Sequence, residues 1–200
     1  MTATNSIAIF GGSFDPIHNG HLHLISALIS SQRFSKIIVV PAGDPWQKKT
    51  VASPQDRYAM VTQALHDLAL DGFKVEVSDC EISRPGPSYA IDTAKEISLK
   101  YPGATLTWII GSDALSNLDT WKDIEELARI VEFLVIVRPG AEINNINVGH
   151  GIRWNSLEIG ALDISSTEVR EAMSSGKGFS QLVPTLVGKY IREKGLYGAA

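Results

Sequence analysis

The stretch Ile7-Ala-Ile-Phe-Gly-Gly-Ser-Phe-Asp-Pro-Ile-His-Asn-Gly-His21 decides how the chain is read. Ile7 to Phe10 is a short apolar run cut off by Gly11-Gly12, the pattern of a strand buried on both faces. The glycine pair lets the backbone approach a ligand closely or take a positive φ, and a tight strand-to-helix turn would use it equally. Asp15-Pro16 marks a turn. His18 and His21 then open a segment from about Asn19 to Gln32, with Leu22, Ile25, Leu28 and Ile29 at helical spacing. Their separation of three residues puts both imidazoles on one helix face. The first turn of a helix also offers free N–H groups and partial positive charge. Strand, glycine pair and histidine-bearing helix start together make a pocket suited to phosphate oxygens.

Outward from this point, strand and helix patterns alternate. Lys36 to Val40 is a β-branched run closed by Pro41. Residues 54–70 read as a helix with Met60, Val61, Ala64, Leu65 and Leu68 on one face. Phe73 to Val77 alternates as a strand, and Ser88 to Leu99 reads as a helix behind Pro85 and Pro87. Leu106 to Ile110 is a strand ending at Gly111. Residues 112–129 read as one or two helices, and Val131 to Val137 is a strand ending at Arg138-Pro139-Gly140. Residues 141–150 are polar and irregular, a surface loop. Residues 166–175 and 184–194 read as two closing helices. This alternation predicts an α/β fold, a doubly wound parallel sheet covered by helices, in one domain over 1–200 with a small helical C-terminal part.

The chain has 200 residues, with 18 Lys plus Arg against 22 Asp plus Glu, a formal net charge of −4. That balance argues against a general binder of nucleic acid or anionic membrane, while leaving room for a local basic pocket. A hydrophobic share of 44% with 20% charged residues excludes a mainly disordered chain. Cys80 is the single cysteine, which excludes an internal disulfide and a cysteine-based zinc site and suits a reducing compartment. Met1 to Ser6 lacks the basic and apolar regions of a signal peptide. No apolar run approaches the roughly 18 residues of a membrane span. A soluble, cytoplasmic protein is expected, and a homo-oligomer is left open. His18 and His21 could ligate zinc, but no other Cys, His or carboxylate stands at metal-ligand spacing, so no metal site is assigned. His23, His66 and His150 are read as surface or packing residues. The glycines form neither a Walker loop nor a Gly-x-Gly-x-x-Gly fingerprint.

Read as Gly-x-Phe-Asp-x-x-His-x-Gly-His, the opening stretch resembles the signature of the nucleotidyltransferase superfamily. Ile164-Ser-Ser-Thr-Glu-Val-Arg170 resembles that superfamily's Ser-Ser-Thr-x-x-Arg box. Ser165 and Glu168 also have capping-box spacing, which a merely capped helix would explain by itself. Further segments are similar, in matching order, to the nicotinate-nucleotide adenylyltransferase family: Pro45-Trp-Gln-Lys48, Arg57-Tyr-Ala-Met60, Ser88-Tyr-Ala-Ile-Asp-Thr93, Ile109-Ile-Gly-Ser-Asp-Ala-Leu115 with Trp121, and Arg138-Pro-Gly140. The resemblance covers nearly the whole chain. It departs at Trp46-Gln47, where many members carry Pro-His, and at Ala90, where many carry Thr.

The resemblance implies a Rossmann-like nucleotidyltransferase fold of strand order 3-2-1-4-5, with the ligand crevice between the first and fourth strands. It implies transfer of the adenylyl group of ATP to nicotinate mononucleotide, giving deamido-NAD and pyrophosphate in NAD biosynthesis, with Mg²⁺ accompanying ATP. His18, His21, Lys48 and Arg170 would be catalytic. Phe10, Gly11, Gly12, Ser13 and Phe14 would bind ATP together with Gly111, Asp113, Ser165, Ser166 and Thr167. Ser13, Tyr89, Ala90, Asp92 and Trp121 would bind the pyridine nucleotide. Backbone N–H groups near Tyr89 and Ala90 would prefer the carboxylate of nicotinate to a neutral amide, and Trp121 would stack on the pyridine. Asp113 fits a ribose contact or a helix cap equally, and residues 42–53 are a candidate lid. Two rivals stand: a sibling adenylyltransferase acting on nicotinamide mononucleotide or phosphopantetheine, and a non-catalytic nucleotide-binding module.

Overall fold

The computed structural model describes residues 5–66, 68, 72–137, 149, 151–160 and 164–199. In chain order it contains β1 (Ser6–Gly12), α1 (Asn19–Ser30), β2 (Lys36–Pro41), α2 (Pro54–His66) and β3 (Lys74–Val77). A short α3 (Cys80–Ser83) precedes α4 (Ala90–Lys100), β4 (Thr105–Gly111) and the four-residue α5 (Ser112–Leu115). A 3-10 turn at Leu118–Thr120 leads to α6 (Ile124–Ile130), β5 (Val131–Val137) and β6 (Trp154–Glu158). Then follow α7 (Ser166–Ser174), α8 (Thr185–Lys194) and a last 3-10 turn at Leu196–Gly198. The motif Arg138-Pro139-Gly140, His150 and all of the polar loop at 141–150 except Gly149 lie outside the described residues.

The strands form one sheet in the order β3-β2-β1-β4-β5-β6, every neighbouring pair parallel. The expected order 3-2-1-4-5 is extended by one edge strand. β6 escaped the sequence reading because Trp154-Asn-Ser-Leu-Glu158 carries little apolar signal and is exposed or half-buried throughout. The region 112–129 is broken three ways rather than one or two, with Asp123 turning the chain at φ 50° before α6.

The strand residues alternate between two separate cores, which is what makes the sheet doubly wound. Ala8, Phe10, Ile37, Val39, Ile109, Leu134 and Ile136 face one side, where α1, α2, α7 and α8 bury Ile25, Leu28, Met60, Val61, Val169, Met173, Val187 and Ile191. Ile7, Ile9, Ile38, Val40, Trp108, Ile110, Phe133 and Val135 face the other, against Ile91, Ala94 and Ile97 of α4 and Ile124 and Leu127 of α6. Truncating one of these buried leucine, isoleucine or methionine side chains to alanine costs about 2–5 kcal/mol. The framework under the strand ends is therefore rigid.

Candidate active site

Strand order reverses between β1 and β4. The chain leaves β1 toward α1 on one face of the sheet and leaves β4 toward α5, whose Leu115 packs on the other. The two connections diverge and open a crevice beyond the strand ends, the position where open α/β sheets bind ligands. The crevice has two lobes, of about 580 Å³ and about 370 Å³. The larger is walled by His18, His21, Lys48, Ser165, Ser166, Thr167 and Arg170. The smaller is walled by Phe10, Gly11, Gly12, Tyr89, Ala90 and Trp121. Ser13, His21, Lys48, Gly111 and Asp113 line both lobes and so mark where two ligands would meet.

Gly11 and Gly12, expected to admit a ligand closely or to take a positive φ, both line the smaller lobe. Neither Gly11 nor Gly12 takes a positive φ. A Cβ on Gly11 would meet the Trp108 ring at 3.1 Å, and one on Gly12 would meet the Phe14 ring at 3.0 Å. Their hydrogens admit aromatic rings. Phe14, at φ 49°, turns its ring beneath the strand end, edge-on to Phe10 and His21, where it lines neither lobe. At Gly111 a Cβ would strike Oδ1 of Asp113 at 2.5 Å, so glycine there lets the carboxylate fold back over the strand end.

His18 holds the N-cap position of α1 and is buried. Its backbone N–H donates to Nδ1 of His21 at 3.2 Å, and the two rings stack with centroids 3.7 Å apart. Burial, then the neighbouring charges of His18 and Lys48, push the His21 imidazolium well below the usual histidine range. His21 is thus a neutral ring whose Nδ1 accepts, leaving the proton on Nε2. A neutral N–H donor at the wall between the lobes suits an anionic oxygen.

The second box is joined to the first. Arg170 donates from Nη1 to the Asp15 carbonyl at 2.7 Å and from Nη2 to Thr167 Oγ1 at 3.2 Å. Ser166 Oγ donates to the Pro16 carbonyl at 3.0 Å. Ser165 caps α7 reciprocally with Glu168, and its hydroxyl donates to that carboxylate at 2.8 Å. The hydroxyl protons of Ser165 and Ser166 are therefore already used. The donors a ligand would find at this helix start are its first backbone N–H groups, the Thr167 hydroxyl, whose oxygen accepts from Arg170, and the guanidinium edge of Arg170.

Phe10, Gly11 and Gly12, expected at ATP, line only the smaller lobe, and Asp92 and His23 also sit differently from their expected places. Asp92 lines neither lobe, and its carboxylate stands 3.6 Å from Lys122 Nζ. His23, read as a surface or packing residue, lines the larger lobe and bonds to the Gly160 carbonyl. Trp121, expected to stack on the pyridine, is packed into the fold at the edge of the smaller lobe. Its ring lies edge-on against Trp108 and Phe133 at 6.3 Å each, and it still lines the smaller lobe.

Sequence reasoning missed the buried hub that fixes these groups. The Asp15 carboxylate accepts from the N–H groups of Val51 and Ala52 at 2.7 and 3.0 Å and from the Tyr197 hydroxyl at 2.7 Å. Arg57, fully buried on α2, donates to the carbonyls of Ser13, Gly43 and Ala52. Ser88 Oγ accepts from the N–H groups of Gly43 and Asp44. The segment 42–53 is thus anchored near both ends, and its middle, with Trp46 and Lys48, is exposed across the crevice. Only the partners, far away in sequence, would have announced these roles. Among the described residues no group of three or more His, Cys, Asp or Glu could hold a metal ion, and no helix is long and apolar enough to cross a membrane.

Residues 9–172 match the cytidylyltransferase-like family model. A probable nicotinate-nucleotide adenylyltransferase of Corynebacterium glutamicum is 40% identical over 96% of this chain and 88% of its own length. One of Neisseria meningitidis is 38% identical, with 96% and 98% covered. Among solved structures, a Plasmodium falciparum nicotinic acid mononucleotide adenylyltransferase complexed with NaAD superposes with a TM-score of 0.83 at 23% identity, covering 98% of each chain.

Proposed function

The chain belongs to the cytidylyltransferase-like family, among its nicotinate-nucleotide adenylyltransferases, and on that premise we propose how its crevice performs their reaction. The enzyme transfers the adenylyl group of ATP to nicotinate mononucleotide, giving deamido-NAD and pyrophosphate. ATP takes the larger lobe and the pyridine nucleotide the smaller, aromatic one. The observation that carries this assignment is the shared wall of Ser13, His21, Lys48, Gly111 and Asp113, where the two ligands would touch.

The attacking group is a phosphate oxygen, already ionised, so no general base is required. It forms a bond to the α-phosphorus of ATP as the bond to the bridging oxygen breaks, and pyrophosphate leaves with the electron pair. Catalysis is then positioning and charge stabilisation. His21 Nε2–H faces the reacting phosphate from the shared wall. Lys48 supplies charge from the exposed span, and Arg170 and the first N–H groups of α7 hold the outer phosphates. Mg²⁺ bound to the triphosphate would supply positive charge against the outer phosphate oxygens, beside Lys48 and Arg170. Asp113 suits a ribose hydroxyl, and the N–H groups at the start of α4 favour a ring carboxylate over a carboxamide.

The test is pyrophosphate release from ATP and Mg²⁺ with nicotinate mononucleotide, nicotinamide mononucleotide and phosphopantetheine in parallel. Turnover with the nicotinate nucleotide alone is expected. Equal turnover with both pyridine nucleotides would keep the reaction and remove the account of selectivity. ATP binding without turnover on any acceptor would leave a binding module.

A further inference from the structure

We propose that Lys122 is a specificity-determining residue, whose ammonium receives the ring carboxylate of the acceptor nucleotide. The inference rests on the reaction proposed above. Lys122 follows Trp121 directly, and both side chains line the smaller lobe. Its Nζ lies 4.4 Å from the centre of the Tyr89 ring and 3.6 Å from the Asp92 carboxylate. The ammonium is thus held against one aromatic wall, beside a second whose indole is wedged between Trp108 and Phe133. A pyridine stacked on Trp121 would bring a ring substituent within reach of it.

The other charges of the lobe are placed for other work. His21, Lys48 and Asp113 belong to the wall shared with the larger lobe. Glu81 is buried, accepts the Thr93 hydroxyl at 2.6 Å, and has its carboxyl pushed up by burial. Among the described lining residues, Lys122 is the lysine that lines the smaller lobe without lining the larger. Its distance to Asp92 exceeds the roughly 2.7–2.9 Å of a charge-assisted hydrogen bond. Asp92 therefore orients the ammonium electrostatically and leaves donors for a ligand, which makes it a positioning residue. The Tyr89 face steadies the same cation. A carboxylate fits this arrangement in charge and in acceptor capacity, whereas a carboxamide offers one oxygen and turns two N–H donors toward a donor.

Lys122→Met and Lys122→Arg would be compared with the unaltered enzyme in pyrophosphate release, with saturating ATP and Mg²⁺ and either pyridine mononucleotide varied. Loss of a charge-assisted bond should raise KM for nicotinate mononucleotide about tenfold or more in Lys122→Met, with kcat little changed. KM for nicotinamide mononucleotide should stay put, and Lys122→Arg should restore most of the preference. Added salt should narrow the preference of the unaltered enzyme and leave that of Lys122→Met unmoved. An unchanged acceptor ratio in Lys122→Met, or equal loss on both acceptors, overturns the role of Lys122 while the reaction stands. An unaltered enzyme that releases no pyrophosphate with the nicotinate nucleotide overturns both.

Discussion

The backbone N–H of His18 donates to Nδ1 of His21, so the first residue of the pair sets the tautomer of the second. A ring that accepts at Nδ1 and has its imidazolium disfavoured by burial carries one proton, on Nε2. His21 should therefore read as the neutral Nε2–H form in histidine ring ¹⁵N spectra through neutral pH and on below the ordinary histidine midpoint of about 6.5. A midpoint at the ordinary value would contradict the arrangement. The linkage has a definite sign. The folded pKa is lowered, so the unfolded chain binds the proton first, and this site weakens the fold as pH drops below about 6.5 toward the folded value.

His21→Ala removes that donor from the shared wall. The expected fall in kcat is roughly 10²–10³-fold, the scale for losing one preorganised donor to developing charge. Near-normal turnover in the purified variant would exclude His21 from the phosphate role.

Arg57→Met leaves the carbonyls of Ser13, Gly43 and Ala52 without their buried donor. Unfolding in urea should show a loss of about 3 kcal/mol or more. KM for ATP should also rise, because Ser13 and the segment bearing Lys48 lose their common fastening. A stability loss with unaltered KM would mean that Arg57 supports the fold without positioning the site.

Hydrogen exchange should divide the 42–53 segment. Amides of Gly43, Asp44, Val51 and Ala52 are bonded to Ser88 and Asp15 and should be protected in the free enzyme. Those of residues 46–50 should gain protection only when nucleotides are bound. Unchanged exchange across 46–50 with both substrates present would remove the lid.

Burial alone would raise the Glu76 carboxyl, but bonds from Lys100, Tyr101 and Lys36 outweigh it and bring it down to about 2. A depressed carboxyl contributes stability above its unfolded pKa of about 4.5 and loses it as pH falls from there toward 2. Since Lys100 is more than half exposed, solvent screening reduces the contribution to about 1 kcal/mol. Denaturant midpoints at pH 6 and pH 3 should differ less in Glu76→Gln than in the unaltered protein. An equal difference would mean that the cluster contributes nothing.

What was legible in the sequence followed from local chemistry. The runs at Ile7–Phe10 and Lys36–Val40 read as buried strands from their β-branched, apolar character, and the glycine pair placed the two histidines just beyond a strand end. β6 was illegible because an edge strand with polar alternation looks like a loop. Asp15, Arg57 and Tyr197 were illegible as a unit because each finds its partners across the fold rather than along the chain. The ring contacts of Gly11 and Gly12 were illegible, since nothing in their spacing says that Trp108 and Phe14 would come to lie against them. Lys122 reads as an ordinary surface lysine until Tyr89 and Asp92 are seen beside it.

The bond from Tyr197 to Asp15 spans 182 residues. Asn19 and Pro16 are likewise held by Leu182 and Ser166. A nascent chain would be able to pair its first strands long before these late partners emerge from the ribosome. The histidine turn would wait, its ordering deferred by the cost of so distant a closure. Competence to bind nucleotide should then appear only once the chain has been made through Tyr197, later than the pairing of β1 with β2.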